Sequence, residues 1–91
     1  MINKDIQYDA VLDVVYTFET VDEIKEFLNQ SVNGSFSLSG YISDDKKKRF
    51  YNGSYVTTST IKSFEMINDK SALVKTRNTI YLVYFNLVGK H

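Results

Sequence analysis

The stretch Ile80-Tyr81-Leu82-Val83-Tyr84-Phe85 is apolar at every position, and it constrains the chain more than any other feature. Short and rich in β-branched and aromatic side chains, it reads as a strand, and a strand apolar on both faces needs cover on both. Helices can cover one face. The other then requires a curled sheet, the remaining strands or a second copy of the chain, which predicts a half-barrel or a homodimer. Material for this is limited, because the chain has 91 residues. At that size folding removes roughly two-thirds of the extended chain's surface, which leaves room for one core and no separate catalytic domain. Residues 1–91 are therefore expected to form a single domain.

Composition removes several function classes. With no Cys there is no disulfide, thiolate zinc site, iron-sulfur cluster or cysteine nucleophile, and the one His is His91. No metal and no cofactor is expected. The N-terminus, Met1-Ile2-Asn3-Lys4-Asp5, lacks the basic segment and apolar stretch of a signal peptide. Nor does any window approach the roughly 18 apolar residues of a membrane span, so the expected compartment is the cytoplasm, without a membrane partner. Lys plus Arg and Asp plus Glu both number 11. Up to Gln30, however, seven acids face two lysines, and beyond it nine basic residues face four acids. This predicts a dipolar molecule with an acidic end and a basic, strand-rich end.

The firmest local signal is Thr20-Val21-Asp22-Glu23, a capping box in which the threonine hydroxyl accepts from an orphan amide and the glutamate reaches back to the amide of Thr20. Val21, Ile24, Phe27 and Leu28 then share one helical face, and Asn33-Gly34 supplies a stop, which predicts a helix over 21–31. Residues 5–18 fit two periods. Asp5, Asp9 and Asp13 recur every four residues, while the even positions from Tyr8 to Phe18 are all apolar. A strand carrying two aspartates is unusual, so a helix is favoured, forming a helical hairpin with the next. From Ser35 onward Ser, Thr, Tyr, Val and Ile dominate, and polar turns at 44–48, 52–53, 68–71 and 77–78 separate strands near 35–42, 48–51, 54–66, 72–76 and 79–87. The expected class is α+β: one or two N-terminal helices packed on a bent antiparallel sheet of four to five strands, with 1–33 mainly helical and 34–91 antiparallel β.

Residues 53–82 carry a cadence: Gly53, then Val56-Thr57-Thr58-Ser59-Thr60-Ile61, a polar turn, and Val74-Lys75-Thr76-Arg77-Asn78-Thr79-Ile80-Tyr81-Leu82. It resembles short phage and bacterial proteins of unknown function in which a Thr-Ser-x-Ile strand leads to a Val-x-Thr-x-x-x-x-Tyr-x-Leu hairpin. The resemblance covers about a third of the chain and consists mostly of strand chemistry. It implies a gene from a phage or another mobile element and transfers no activity.

Three constellations could carry function. The stripe Asp5, Asp9 and Asp13 cannot converge on a cation from one helix face, so it reads as a solvated surface or one that meets a basic partner. Lys46-Lys47-Lys48-Arg49 with Phe50, Tyr51 and Tyr55 could grip single-stranded nucleic acid, cations on phosphates and rings on bases, but Asp44 and Asp45 stand beside the lysines and a solvated turn is the favoured reading of the run. Tyr41, Tyr51 and Tyr55 fall on the polar side of their strands, where tyrosine favours either protein contacts or cross-strand packing. The hydroxyls of residues 57–60, with Thr76 and Thr79, have no base in evident reach, and strand propensity accounts for them. The glycines at 34, 40, 53 and 89 are scattered, so no phosphate loop is present.

The expected function is non-catalytic protein binding. Asp5, Asp9, Asp13, Tyr41, Tyr51 and Tyr55 are the candidate contacts with a host or phage protein, and the sheet is a candidate homodimer surface. An inhibitor or accessory factor of the anti-CRISPR or anti-defence kind, acting by occlusion, is the sharpest form of that expectation. The rivals are a small single-stranded nucleic-acid binder using Lys46, Lys47, Lys48, Arg49 and Tyr51, and an antitoxin or immunity protein.

Overall fold

The computed structural model describes residues 6–34 and 36–88. In chain order they form β1 (Ala10–Phe18), α1 (Val21–Gly34), β2 (Ser39–Ser43), β3 (Tyr55–Thr57), β4 (Ser63–Asn68), β5 (Ser71–Lys75) and β6 (Ile80–Leu87). The strands make one six-stranded sheet in the order β3-β2-β1-β6-β5-β4. The class is α+β, as expected, with one helix and six strands among the described residues. The sheet is mixed: β1 and β6, which form its centre, run parallel, and every other neighbouring pair is antiparallel.

The largest departure from the sequence reading is β1. Residues 10–18 are a central strand, so there is no helical hairpin, and the helical part of the chain begins at Val21. Along β1 the even positions Ala10, Leu12, Val14 and Phe18 are buried while Asp13, Val15 and Thr17 are exposed. Pairing on both edges satisfies the strand's backbone, and its β-branched residues suit a pleated surface, which outweighs the aspartate's poor strand propensity. A bulge between Asp13 and Thr17 interrupts the pairing with β6. There the Asn86 side-chain amide donates to the carbonyls of Val14 (3.0 Å) and Tyr16 (3.1 Å), supplying partners where the ladder is broken.

Helix α1 starts as its capping sequence predicts. The Glu23 amide donates to Thr20 Oγ1 at 3.1 Å, while the Glu23 carboxylate accepts from the amide of Glu19, one residue earlier than expected, at 2.8 Å. The helix continues to Gly34, buries Ile24, Leu28 and Ser31, and packs on β1 and β4. The Phe27 ring lies 5.1 Å from that of Tyr16 and 5.3 Å from that of Phe18, which in turn meets Phe85 edge-on at 5.7 Å. These contacts join helix, β1 and β6 into the same core.

The sheet is curled. Laid flat, six strands would place β3 and β4 about 24 Å apart. The link over 58–62 makes six Cα steps between Thr57 and Ser63 and can span only about 21 Å. That link is held on both sides: Thr58 donates to the carbonyl of Leu38 (2.8 Å), Ile61 to that of Phe36 (3.1 Å), and Lys62 to that of Lys75 (2.7 Å). The expected single strand over 54–66 is therefore two strands at opposite edges, joined by a hydrogen-bonded strap, with Ile61 buried in the core. Residues 48–51, expected as a strand, lie in the loop between β2 and β3.

Candidate functional site: the outer face of the sheet

The concave side of the sheet, with α1, holds the core, formed by Leu12, Ile42, Val56, Val74, Val83 and their neighbours. Pairing registers define what remains on the outer side. Tyr55, Tyr41, Asp13, Tyr84 and Ser71 follow one another across five adjacent strands in a single row. Tyr55, Tyr41 and Tyr84 expose 56%, 50% and 43% of their surface, so the stretch of the row from Tyr55 to Tyr84 is bare, while Ser71 at its end is buried. Tyr41 and Tyr55 meet edge-to-face with their centroids 5.3 Å apart, so each limits the rotamers of the other. Next to them Val15 is 43% exposed.

One row further along the strands stand Ser43, Val11, Leu82, Leu73 and Glu65. Here Leu82 is buried between its half-buried neighbours Val11 and Leu73. The both-faces-apolar run of β6 is thus covered unevenly. Tyr81, Val83 and Phe85 enter the core, Leu82 is sheltered by neighbouring side chains of the same sheet, and Tyr84 is exposed. Among the described residues, no helix or strand crosses the row of tyrosines.

Asp13 is exposed at the centre of that row, and no ion pair or side-chain hydrogen bond involves it among the described residues. Tyr41 and Tyr84 are its register partners on either side. Of the six contacts expected from the sequence, Asp13, Tyr41 and Tyr55 therefore fall on one surface, and Tyr84 joins them. Asp5 lies outside the described residues. Asp9 has a structural role: its carboxylate accepts from the amide of Ile80 at 2.8 Å while its own amide donates to the carbonyl of Ile80 at 2.7 Å, fastening the start of the parallel pair. Tyr51, 89% exposed, is apart from the row, in the loop between β2 and β3.

That loop is organised around Asp45, whose side chain is 1% exposed. Its carboxylate accepts from the amides of Lys47 (3.1 Å), Arg49 (2.9 Å) and Phe50 (3.2 Å) and from the Arg49 guanidinium at 3.2 and 3.3 Å. Burial pushes the Asp45 carboxyl upward, but the bonds from the Arg49 side chain and amide and the Lys47 amide outweigh it and hold the group below the ordinary carboxylate range. Desolvation acts on Arg49 in the opposite sense to its bonds with Asp45, and the bonds prevail, raising it. Arg49 also donates to Thr79 Oγ1 at 3.1 Å.

Two more cations of the run, Lys46 and Lys47, are engaged too. Lys46 Nζ sits 3.8 Å from the centroid of the Tyr8 ring, and Lys47 Nζ lies 2.6 Å from the carbonyl oxygen of Asn78 and 3.9 Å from the Asp9 carboxylate. Tyr8 in turn donates to Asp44 at 2.8 Å, a bond that raises its phenol, with burial acting the same way. Lys48, at a left-handed φ of 59°, and Tyr51 remain for an external ligand. An open depression of about 440 Å³ beside them is lined by residues of the loop, including Asp44, Lys48 and Tyr51.

The hydroxyl-rich segments serve the fold. Thr58 Oγ1 accepts from the amide of Leu38 at 3.0 Å and donates to the carbonyl of Ser59 at 2.6 Å, and Thr76 Oγ1 donates to the carbonyl of Thr79 at 3.1 Å. Asp9 and Asp13 do not converge, and among the described residues no cluster of three or more His, Cys, Asp or Glu could hold a metal ion. No helix of the described residues is long and apolar enough to cross a membrane. No family model matches the chain, and neither a curated protein nor a solved structure matches it significantly.

Proposed function

We propose that the protein is a non-catalytic binding module whose docking surface is the outer face of the sheet, centred on Tyr41, Asp13 and Tyr84 with Tyr55 at one end. The observation that carries this is the register row itself: three half-exposed tyrosines and one exposed carboxylate brought together from four strands, two of them at the centre of the sheet. Tyrosines on strands offer large contact area with few rotamers left to lose, which suits a recognition surface. Binding there would act by occlusion, covering a partner's apolar patch. The cadence over 53–82 extends the proposal to an inhibitor or accessory factor encoded by a mobile element.

A protein partner fits this face better than a nucleic acid. The row has a carboxylate at its centre, which repels phosphates, and Lys46, Lys47 and Arg49 already have partners within the chain. Selection of a random peptide library on the immobilised protein tests the proposal. Enriched peptides should lose binding to the Tyr41→Ser/Tyr84→Ser variant and keep it for Lys48→Ala. Peptides that bind both variants as well as the wild type, or only lose binding with Lys48→Ala, would move the docking surface elsewhere.

A further inference from the structure

Resting on that reading, we infer that the partner presents an arginine side chain to Asp13, seated between the rings of Tyr41 and Tyr84. Among the described residues no cation pairs with Asp13, and it occupies the middle of an otherwise uncharged row running Tyr55, Tyr41, Asp13, Tyr84 and Ser71. Docking an apolar partner there would strip water from the carboxylate without replacing its hydrogen bonds, which costs more than the surrounding contacts readily return. A partner that occupies the row therefore needs a donor group opposite Asp13.

Ring geometry selects among donors. A guanidinium is planar, offers paired N–H groups matched to a carboxylate, and stacks on aromatic faces; an ammonium does neither as well and holds its water more tightly. Tyr41 and Tyr84 stand one strand spacing, about 4.8 Å, to either side of Asp13. Their rings can line the flanks of a planar group whose edge meets the carboxylate. The edge-to-face contact with Tyr55 already restrains one of these rings, so less freedom is lost on binding.

A second copy of the chain is the less suitable occupant. A two-fold pairing centred on the row brings one Asp13 towards the other with no cation of the row between them, and like charges opposed in an interface are costly. The charge of the face calls for its complement.

The probe is acetyl-Leu-Arg-Leu-amide, titrated into the isotope-labelled protein and followed by NMR, beside the same peptide carrying lysine or citrulline. The expected result is saturable shifts confined to Asp13, Tyr41 and Tyr84, with the arginine peptide bound at least threefold more tightly than the lysine peptide and citrulline weakest. Asp13→Asn, an exposed and nearly isosteric change, should weaken the arginine peptide about tenfold, the loss expected for a charge-assisted pair. Shifts on the row that are equal for arginine and citrulline, or unchanged by Asp13→Asn, would overturn the arginine assignment while leaving the docking face in place. Shifts appearing only at Lys48 and Tyr51 would overturn both. Concentration-dependent dimerisation that is lost in Asp13→Arg would replace the arginine partner with a second copy.

Discussion

Asp13 and Tyr84 stand opposite each other across the single parallel pair of the sheet, both on its outer side and both exposed to solvent. They come from the two ends of the chain and meet only because β1 and β6 pair at the centre of the fold. The rest of the tyrosine row is built outward from that meeting.

Because the row is surface and not core, truncating it should cost little stability. Tyr41→Ala loses an edge-to-face pair and some strand propensity, about 1 kcal/mol. Leu12→Ala, by contrast, opens a cavity at a fully buried position in the central strand and should cost about 3–5 kcal/mol. Urea unfolding of the two variants measures the difference. Equal losses would mean that the outer face is packed in solution.

Gly40 lies opposite Val14 in the pairing of β2 with β1, where a Cβ would overlap the backbone of Asp13 and Val14. No flexible side chain is available to give way. Gly40→Ala should therefore destabilise by about 2–3 kcal/mol and loosen the β1 and β2 amides in hydrogen exchange. Gly53 differs, because at φ 88° it has open space where a Cβ would stand. Alanine there should cost only about 1 kcal/mol, from backbone strain.

Asp45 ties acid sensitivity to one loop. Its folded pKa lies below that of the unfolded chain, so its stabilisation is complete above about pH 4, the unfolded value, and is lost as pH falls through the folded one. Asp45→Asn should cost about 2–4 kcal/mol at neutral pH, because Arg49 and the loop amides lose their buried acceptor charge. It should also reduce the loss of stability between neutral pH and pH 3. Thermal melts of wild type and variant across that range check both signs.

The engaged cations make a prediction about nucleic acids. With Lys48 as the cation of the 46–49 run left for phosphates, that run should add no more than about 1 to the magnitude of the log-log salt slope of any affinity for single-stranded DNA, read as the difference between wild type and a Lys46→Ala/Lys47→Ala/Lys48→Ala variant. Fluorescence anisotropy between low and moderate salt measures it. A difference two or three times larger would restore the nucleic-acid rival, since the lysines would then have to leave Tyr8, Asp9 and Asn78.

What the sequence made legible follows the range of the interactions involved. The capping box at Thr20 and the turns at 52–53, 68–71 and 77–78 are decided by neighbours in sequence, and the structure has them at the expected positions. Residues 10–18 mislead because a spacing of four residues falls on one face of a helix and, being twice two, on one face of a strand as well. The aspartates cannot separate the two, and pairing with β6 decides. The strap over 58–62 is similar: its residues have strand composition, but a sheet whose first and last strands must be reached from one another breaks the run in two. Tyr41 and Tyr55 are legible as outward-facing through local alternation. Tyr84 is not, because in a run apolar throughout only the register with β1 and β5 separates the exposed ring from the buried Leu82 and Val83.

The most direct test of the docking face is site-specific photo-crosslinking in cells of the source organism, with the crosslinker placed at Tyr84 on the row or at Gln30 on the exposed side of α1. A discrete adduct from position 84 that disappears when Tyr41→Ser is added, with none from position 30, is the predicted result. An adduct from position 30 and none from position 84 would contradict it.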